Sequence, residues 1–463
     1  MEITTIYGKA GCGKSTTLAK LILKGMNDED EDDEDQSFVV LAPTNSAVEN
    51  IYNICLSQAS SSPSSVDRDK FKTIYSYFRI DYINNIVLGP ISMVDTIYID
   101  EFSLMDKFIF KKCLSNMRAH GCKKLVLCGD VMQLNGIYKE KQFISFNKLF
   151  KWQSIYNTIY NKLNDKSNLP INLYPKVVEH LHLNVFGMKS IQGGRLIHLT
   201  VNRRSNDEIK NLLTQIYSTD AAKAGTNSNV NQYPFAHFVD LPNLIMKDSF
   251  VFISSRYKIL QQIYDYIYEQ KWRKGGNNAT TITHIEQHIS FSSGFKDLYL
   301  YPGMEIIVCD TDDGSGGGGG MYTSSPSSSS SHRKSYINGE ELTFTGNIEN
   351  NCLKCLNRNR ETVYVHKIKE VDKPNSEEFY PICPAFLMTI HKSQGRTLNN
   401  VIVCIDELFD VSMMYTAITR AKNKLFFYSQ EKDEKKRVEL LIKNSYRPEF
   451  KQLNLICSYV NMV

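Results

Sequence analysis

The chain has 463 residues and a net charge of +4, from 54 basic and 50 acidic residues; 42% of it is apolar and 22% charged. That composition builds buried cores, and it excludes a disordered, collagen-like or coiled-coil protein. No apolar run approaches the roughly 20 residues that span a bilayer. The N-terminus has no secretory pattern, and eleven scattered cysteines read as reduced thiols inside a cell.

Ile3 to Tyr7 predicts a buried strand. Gly8-Lys9-Ala10-Gly11-Cys12-Gly13-Lys14-Ser15 comes next, with a helix opening near Lys14. This is the spacing of a phosphate loop. Glycines at 8, 11 and 13 let backbone N–H groups turn inward around phosphate oxygens, and the helix N-terminus adds its positive end. Lys14 is placed to reach the β- and γ-phosphates, Ser15 to ligate Mg²⁺, and Thr16 to line the same nucleotide site. ATP with Mg²⁺ is the expected cofactor pair.

Asp28 to Asp35 is an unbroken run of eight acids, read as a solvated loop. The rest of the chain is therefore more basic than its total, which suits a phosphate-backbone partner. Phe38 to Leu41 is the next strand, and residues 57–65 form a polar, serine-rich connection. Thr96 to Ile99 is a strand that ends in Asp100-Glu101. Acids at the end of a parallel strand point into the crevice where ligands bind. Asp100 is expected to hold Mg²⁺ and Glu101 to orient and deprotonate the attacking water.

Leu125 to Cys128, Phe250 to Ile253, Val401 to Ile405 and Leu425 to Tyr428 continue the pattern of apolar strands among helices, which predicts parallel sheets in two groups. Residues 270–380 have β-branched patterning and turn residues, and a Gly/Ser-rich loop at 314–331 interrupts them. The expected division is a first unit at 1–195, a second at 196–270 and 381–445, a β-rich insertion at 271–380 and a tail at 446–463.

Seven segments then stand in a telling order. They are Leu41-Ala42-Pro43-Thr44-Asn45-Ser46-Ala47, Lys72-Thr73-Ile74-Tyr75-Ser76-Tyr77-Phe78, Asp100-Glu101-Phe102-Ser103 and Gly129-Asp130-Val131-Met132-Gln133-Leu134. Leu199-Thr200-Val201-Asn202-Arg203-Arg204-Ser205, Thr389-Ile390-His391-Lys392-Ser393-Gln394-Gly395-Arg396-Thr397 and Tyr415-Thr416-Ala417-Ile418-Thr419-Arg420-Ala421 complete the set. In that order the chain resembles a superfamily 1 helicase, with motifs Ia, Ib and II to VI. The resemblance implies an α/β fold of two RecA-like P-loop NTPase domains with ATP between them. It places Arg204 and Arg420 at the family's two arginine positions, Gln133 at its γ-phosphate sensor and Gly395 at the nucleotide. Pro43, Thr44, Asn45, Thr73, Tyr75, Thr389 and His391 would line a single-strand channel, while Tyr77 and Phe78 read as core.

Details of motifs Ia, III and V resemble the branch that includes RecD and the petite-integration-frequency helicases. That implies 5′-to-3′ movement and a small SH3-like insertion before motif V. The implied partner is single-stranded nucleic acid, DNA over RNA, with replication or repair proteins alongside, no membrane, and a monomeric chain. Compact size and polar low-complexity loops resemble helicases carried by large DNA viruses, which implies viral replication and, for such an enzyme, the host nucleus; otherwise nucleus and cytoplasm are both open for this intracellular protein.

Several positions depart from the family pattern. Seven residues precede Gly8, so the upstream glutamine motif that reads adenine is not expected. Arg203 stands where an aromatic usually precedes the motif IV arginine, Tyr75 stands for a histidine, and Leu134-Asn135-Gly136 replaces the usual prolines. No long insertion suggests a strand-splitting pin. An RNA helicase of the same superfamily, and a nucleotide-gated binding subunit without unwinding, are the alternatives. Cys352 and Cys355 form a lone C-x-x-C, with Cys309 and Cys383 as the other thiols of that region; buried thiols rather than a zinc site are expected.

Overall fold

The computed structural model describes residues 1–27, 37–59, 66–81, 86–105, 107–130, 133, 195–217, 233–273, 282–287, 294–309, 336, 338–369, 377–408 and 411–445. The acidic run, most of the 57–65 connection, the Gly/Ser-rich loop at 314–331 and the tail at 446–463 lie outside the described residues.

The first unit is built on β1 (Glu2–Gly8), α1 (Lys14–Asn27), β2 (Phe38–Ala42), α2 (Asn45–Gln58), β3 (Phe71–Thr73) and α3 (Ile74–Tyr77). A small antiparallel pair comes next, β4 (Ile80–Asp81) with β5 (Ile86–Val87), then β6 (Thr96–Ile99), α4 (Lys107–Ala119), β7 (Lys124–Gly129) and β8 (Arg195–Leu199). Six strands make one sheet of order β3-β2-β6-β7-β1-β8, with every pairing parallel. Side chains alternate across a strand, so neighbouring residues enter different cores. Val39, Leu41, Ile97, Leu125 and Leu127 pack on one face with Phe110 and Cys113 of α4. Val40, Tyr98, Val126 and Cys128 pack on the other with Leu18 and Ile22 of α1 and Val48 and Ile51 of α2. Strands covered on both sides must be apolar at nearly every position, and β6 is buried at all four.

The expected boundary at 195 is corrected: residues 196–199 complete β8, which pairs with β1 from Thr4↔Arg195 to Gly8↔Leu199, so the first unit runs through Leu199. The second unit contains β9 (Phe250–Ser254), β17 (Leu387–Thr389), β18 (Leu398–Cys404) and β19 (Ala421–Tyr428) in a parallel sheet of order β17-β9-β18-β19.

Between β9 and β17 lie the hairpin β10 (Thr283–Glu286) with β11 (Asp297–Leu300), and the strands β12 (Glu305–Val308), β13 (Glu341–Glu349), β14 (Cys352–Leu356), β15 (Thr362–Val365) and β16 (Ile382–Pro384). The last five form an antiparallel sheet of order β15-β14-β13-β12-β16. Ile382 to Pro384 thus belong to the insertion, not to the second unit where the expected boundary at 380 put them. One core joins the two: Phe252 and Leu387 of the parallel sheet share it with Met304, Phe344 and Leu353 of the insertion. The turn before β13 also reaches the first unit, where a Cβ on Gly339 would stand 3.5 Å from Ser46 Cβ at the start of α2.

The four thiols do not form a set. Cys352 lies 3.0 Å from His366 Nδ1, whereas Cys309 and Cys383 meet Lys392, and no metal-holding group of three or more ligating side chains occurs among the described residues.

Candidate functional site

Every strand of the first sheet runs the same way, so one edge collects the residues at all the strand ends. The phosphate loop comes after β1, Thr44 after β2, Thr73 at the end of β3, Asp100 after β6, Asp130 after β7 and Asn202 to Arg204 after β8. The loop needs its glycines. Gly11 and Gly13 have φ of +79°, a region that side chains rarely adopt. A Cβ on Gly11 would meet Asn202 Oδ1 at 2.4 Å, whereas at Gly13 nothing lies within 4 Å, leaving open space at the mouth. Lys14 Nζ donates to Gly8 O at 3.0 Å and Lys9 O at 3.1 Å. It also stands 3.9 Å from Asp130 Oδ2.

Asp100 and Glu101 are held at the end of β6. Glu101 N donates to Asp100 Oδ1 at 2.9 Å, and Glu101 sits in the left-handed region at φ +50°. Ser15 hydrogen-bonds Asp100, which unites the two residues expected to hold Mg²⁺. Burial raises both carboxyls above their ordinary values; for Glu101 the Asp100 charge adds to it. Asp100 Oδ2, Glu101 Oε2 and Gln133 Oε1 are buried without a hydrogen-bond partner. Orphaned oxygens beside Lys14 and Ser15 suit a divalent cation and its waters, so these residues fit a magnesium nucleotide.

The second unit closes the site from the other side. Arg420 is 1% exposed and donates from Nε to Thr416 O at 3.0 Å and from Nη1 to Arg396 O at 3.3 Å. Arg204 donates from Nη1 to Thr419 O at 3.1 Å. Burial pulls Arg420 down to about 10 with Arg204 repelling it, and Glu101 acts against that shift; burial lowers Arg204 too. Both arginines therefore remain cations at neutral pH within the field of Glu101.

Three of the expected nucleic-acid residues cap helices. Thr44 Oγ1 accepts from Ala47 N, Thr73 Oγ1 from Ser76 N and Thr389 Oγ1 from Lys392 N. Each hydroxyl oxygen is engaged while its O–H stays a donor. Pro43 is buried, Thr44 exposed, Asn45 and His391 half-buried, and burial lowers His391 so that it is neutral. Thr389 and His391 come at the end of β17 in the second sheet. Tyr75 packs against the core of the first unit and Phe78 is fully buried in it. Tyr77 packs there half-buried, and its hydroxyl donates to Ser92 O. Gly395 has φ +78° and free space around it. Thr16 is exposed on the first turn of α1, and Arg203 is exposed with its N–H on Gly11 O.

Two residues that stand inside the motifs make contacts for which no role was expected. Asp130 Oδ2 gathers Gln133 Nε2 at 3.3 Å and the Tyr415 hydroxyl at 3.1 Å. Lys392, inside motif V, donates to Cys309 Sγ at 2.8 Å and stands over the Tyr257 ring. The hydrogen bond from Cys309 lowers the Cys383 thiol to about 6. Asp130 could have been found from its fixed place in the Gly-Asp-x-x-Gln segment; nothing local in the sequence pairs Lys392 with residue 309.

Residues 1–139 match an AAA domain family and residues 384–428 match the UvrD-like helicase C-terminal domain. A curated relative, the ATP-dependent DNA helicase Pif1 of Campylobacter jejuni, is 30% identical over 118 residues, 21% of this chain and 26% of the relative, so the match spans about a quarter of that protein's length. Among solved structures, two coordinating Pif1 helicases at forked duplex DNA give a TM-score of 0.54 at 18% identity, over 100% of this chain and 94% of the other. Bacteroides Pif1 with ADP-AlF3 and single-stranded DNA gives 0.54 at 17%, over 99% and 94%. The chain thus has the two-RecA fold of these solved structures, and one stretch, 21% of the chain, resembles a Pif1 helicase in sequence.

Proposed function

We propose that this chain, built on the fold of the Pif1-like superfamily 1 helicases, is an ATP-driven DNA helicase that moves 5′ to 3′ along one strand. One observation carries the reading: Arg420 of the second unit and Arg204, bonded to it through Thr419, bring their charge to Glu101 and the phosphate loop of the first. Nucleotide bound there touches both units, so each step of hydrolysis changes how firmly they are held together.

Lys14 and the loop N–H groups hold the β- and γ-phosphates. Glu101 accepts a proton from the attacking water, and its raised pKa makes it a better base than a solvated carboxylate. Arg204 and Arg420 offset the charge that spreads over the γ-phosphoryl oxygens. Ser15 and Asp100 would hold a magnesium ion, which would supply neutralisation of the phosphate charge. Gln133, linked to Asp130, senses the γ-phosphate.

Pro43, Thr44, Asn45 and Thr73 offer one grip on the strand and Thr389 and His391 a second, one for each sheet. Hydroxyl donors and a neutral imidazole read phosphates and sugars rather than base identity, as a motor must. The relatives solved with single-stranded DNA support DNA as the track.

The test is unwinding of tailed duplexes. A duplex with a 5′ tail is expected to open with ATP and one with a 3′ tail to stay closed. Opening of the 3′-tailed duplex alone would overturn the polarity, and opening of neither would overturn the helicase reading.

A further inference from the structure

Residues 202–206, just after β8, cross from the first unit to the second. Asn202 Oδ1 accepts hydrogen bonds from Arg204 N at 3.0 Å and Ser205 N at 3.3 Å, so the turn is held by its own side chain. The same oxygen stands 2.4 Å from where a Cβ on Gly11 would be, and Arg203 N donates to Gly11 O at 2.8 Å. One end of the turn is therefore seated on the phosphate loop.

The other end runs along the backbone around Arg420. Ser205 is 6% exposed and donates from Oγ to Ala421 O at 3.0 Å, and Asn206 N donates to Lys422 O at 3.0 Å. Arg204 Nη1 takes Thr419 O. The carbonyls on both sides of Arg420 are thus held by two consecutive residues, Arg204 and Ser205. A buried serine bond can serve stability alone. This one belongs to a turn of five residues that touches Gly11 at one end and brackets a buried arginine at the other. Reacting groups must be held closely, since a displacement of about 1 Å can cost on the order of 10²-fold in rate.

Resting on the ATP-driven reading above, we propose that Asn202 and Ser205 are positioning residues that set where Arg420 stands relative to the phosphate loop. Asn202 acts at the loop end, by shaping the turn against Gly11. Ser205 acts at the arginine end, by fixing the peptide that follows Arg420. Neither needs to touch nucleotide to do so.

The experiment uses the full chain and reads steady-state kcat and KM for ATP, binding of fluorescent ADP, and thermal unfolding. Ser205→Ala is expected to lower kcat about tenfold, with ADP affinity unchanged, because a buried carbonyl loses its donor beside the arginine. In an Arg420→Ala background the same change should cost nothing further, since the two act through one group. Asn202→Ala is expected to raise KM and weaken ADP binding about fivefold, and Asn202→Ser to restore most of it, because a hydroxyl oxygen can accept from the same turn. Wild-type kcat in Ser205→Ala would overturn the role, as would an equal loss with and without Arg420. A Ser205→Ala chain that melts far below the wild type or does not fold would assign its bond to stability and overturn the role too. Each of these leaves the helicase reading standing. A wild-type chain that hydrolysed no ATP would overturn both.

Discussion

Arg204 Nη1 donates to the carbonyl oxygen of Thr419 at 3.1 Å, so one arginine holds the peptide that leads into the other. Arg204 leaves the first sheet just after β8, and Arg420 is anchored on the second unit. The pair forms one wall against Glu101. Arg420→Ala is expected to lower kcat for ATP hydrolysis by about 10³-fold, at the lower end of what an arginine finger contributes. Arg204→Ala should also lower it, and the double variant should lose little beyond the larger single loss, because the two act as a unit. Stopped-flow nucleotide binding and turnover on the three variants check this. Independent, multiplying losses would contradict a shared wall.

Glu101→Gln keeps the shape and removes the base. Nucleotide affinity should stay within a few-fold while kcat falls by roughly 10²–10⁴. Since burial is the largest effect raising Glu101, the wild-type rate should decline toward acid at a higher pH than a glutamate at its ordinary value of 4.5 would give. That acid limb should be missing from the residual rate of the variant.

Much of this was legible in the sequence because it is local. The phosphate loop is a contiguous string of glycines with a lysine and a serine, and Asp100 and Glu101 stand directly after the buried tetrad of β6. What was not legible depends on pairing at long range. β8 reads as an ordinary amphipathic run, and only its register against β1 assigns it to the first sheet. β16 is three residues long and gains meaning from Ile307↔Cys383. Tyr415 reads as a core aromatic, which it also is; its hydroxyl becomes informative when Ala10 and Asp130 arrive beside it. Lys392 resembles any motif lysine until the thiol of Cys309, 83 positions away, is placed against it.

Asp100 gives a stability prediction with a definite sign. Burial raises its folded pKa above the ordinary value of 3.8, so the native carboxyl binds its proton to a higher pH than the unfolded one. Its contribution is most favourable below that value and is lost as pH rises through the folded pKa. Without Mg²⁺, Asp100→Asn should therefore melt above the wild type at neutral pH, by roughly 2–4 °C per kcal/mol relieved, with the gap closing in acid. Added Mg²⁺ should raise the wild type alone. A variant that melts lower at neutral pH without metal would contradict this.

Glu341 ties the insertion to motif V. It bonds Arg396 Nη1, whose Nη2 donates to Gly339 O at 2.8 Å, and it also bonds Arg358 at 2.9 Å. Burial alone would raise this carboxyl, but Arg396 and Arg358 outweigh it and hold it below its usual value. Its contribution is then present above about pH 4.5 and lost as pH falls through the lowered pKa. Glu341→Gln should flatten the acid-side loss of stability seen in melting curves. It should also reduce stimulation of hydrolysis by DNA several-fold, since the backbone of Arg396 is a partner of Arg420. Equal stimulation in both proteins would separate the insertion from the motor.

The most direct measurement is steady-state ATP hydrolysis with and without single-stranded DNA, at low salt where phosphate contacts are not screened. A motor whose two sheets share one nucleotide and one strand should hydrolyse slowly alone and be stimulated strongly by DNA, roughly tenfold or more, with Glu101→Gln silent in both conditions. Hydrolysis at one rate, whatever the DNA, would contradict coupling between the arginine wall and the strand.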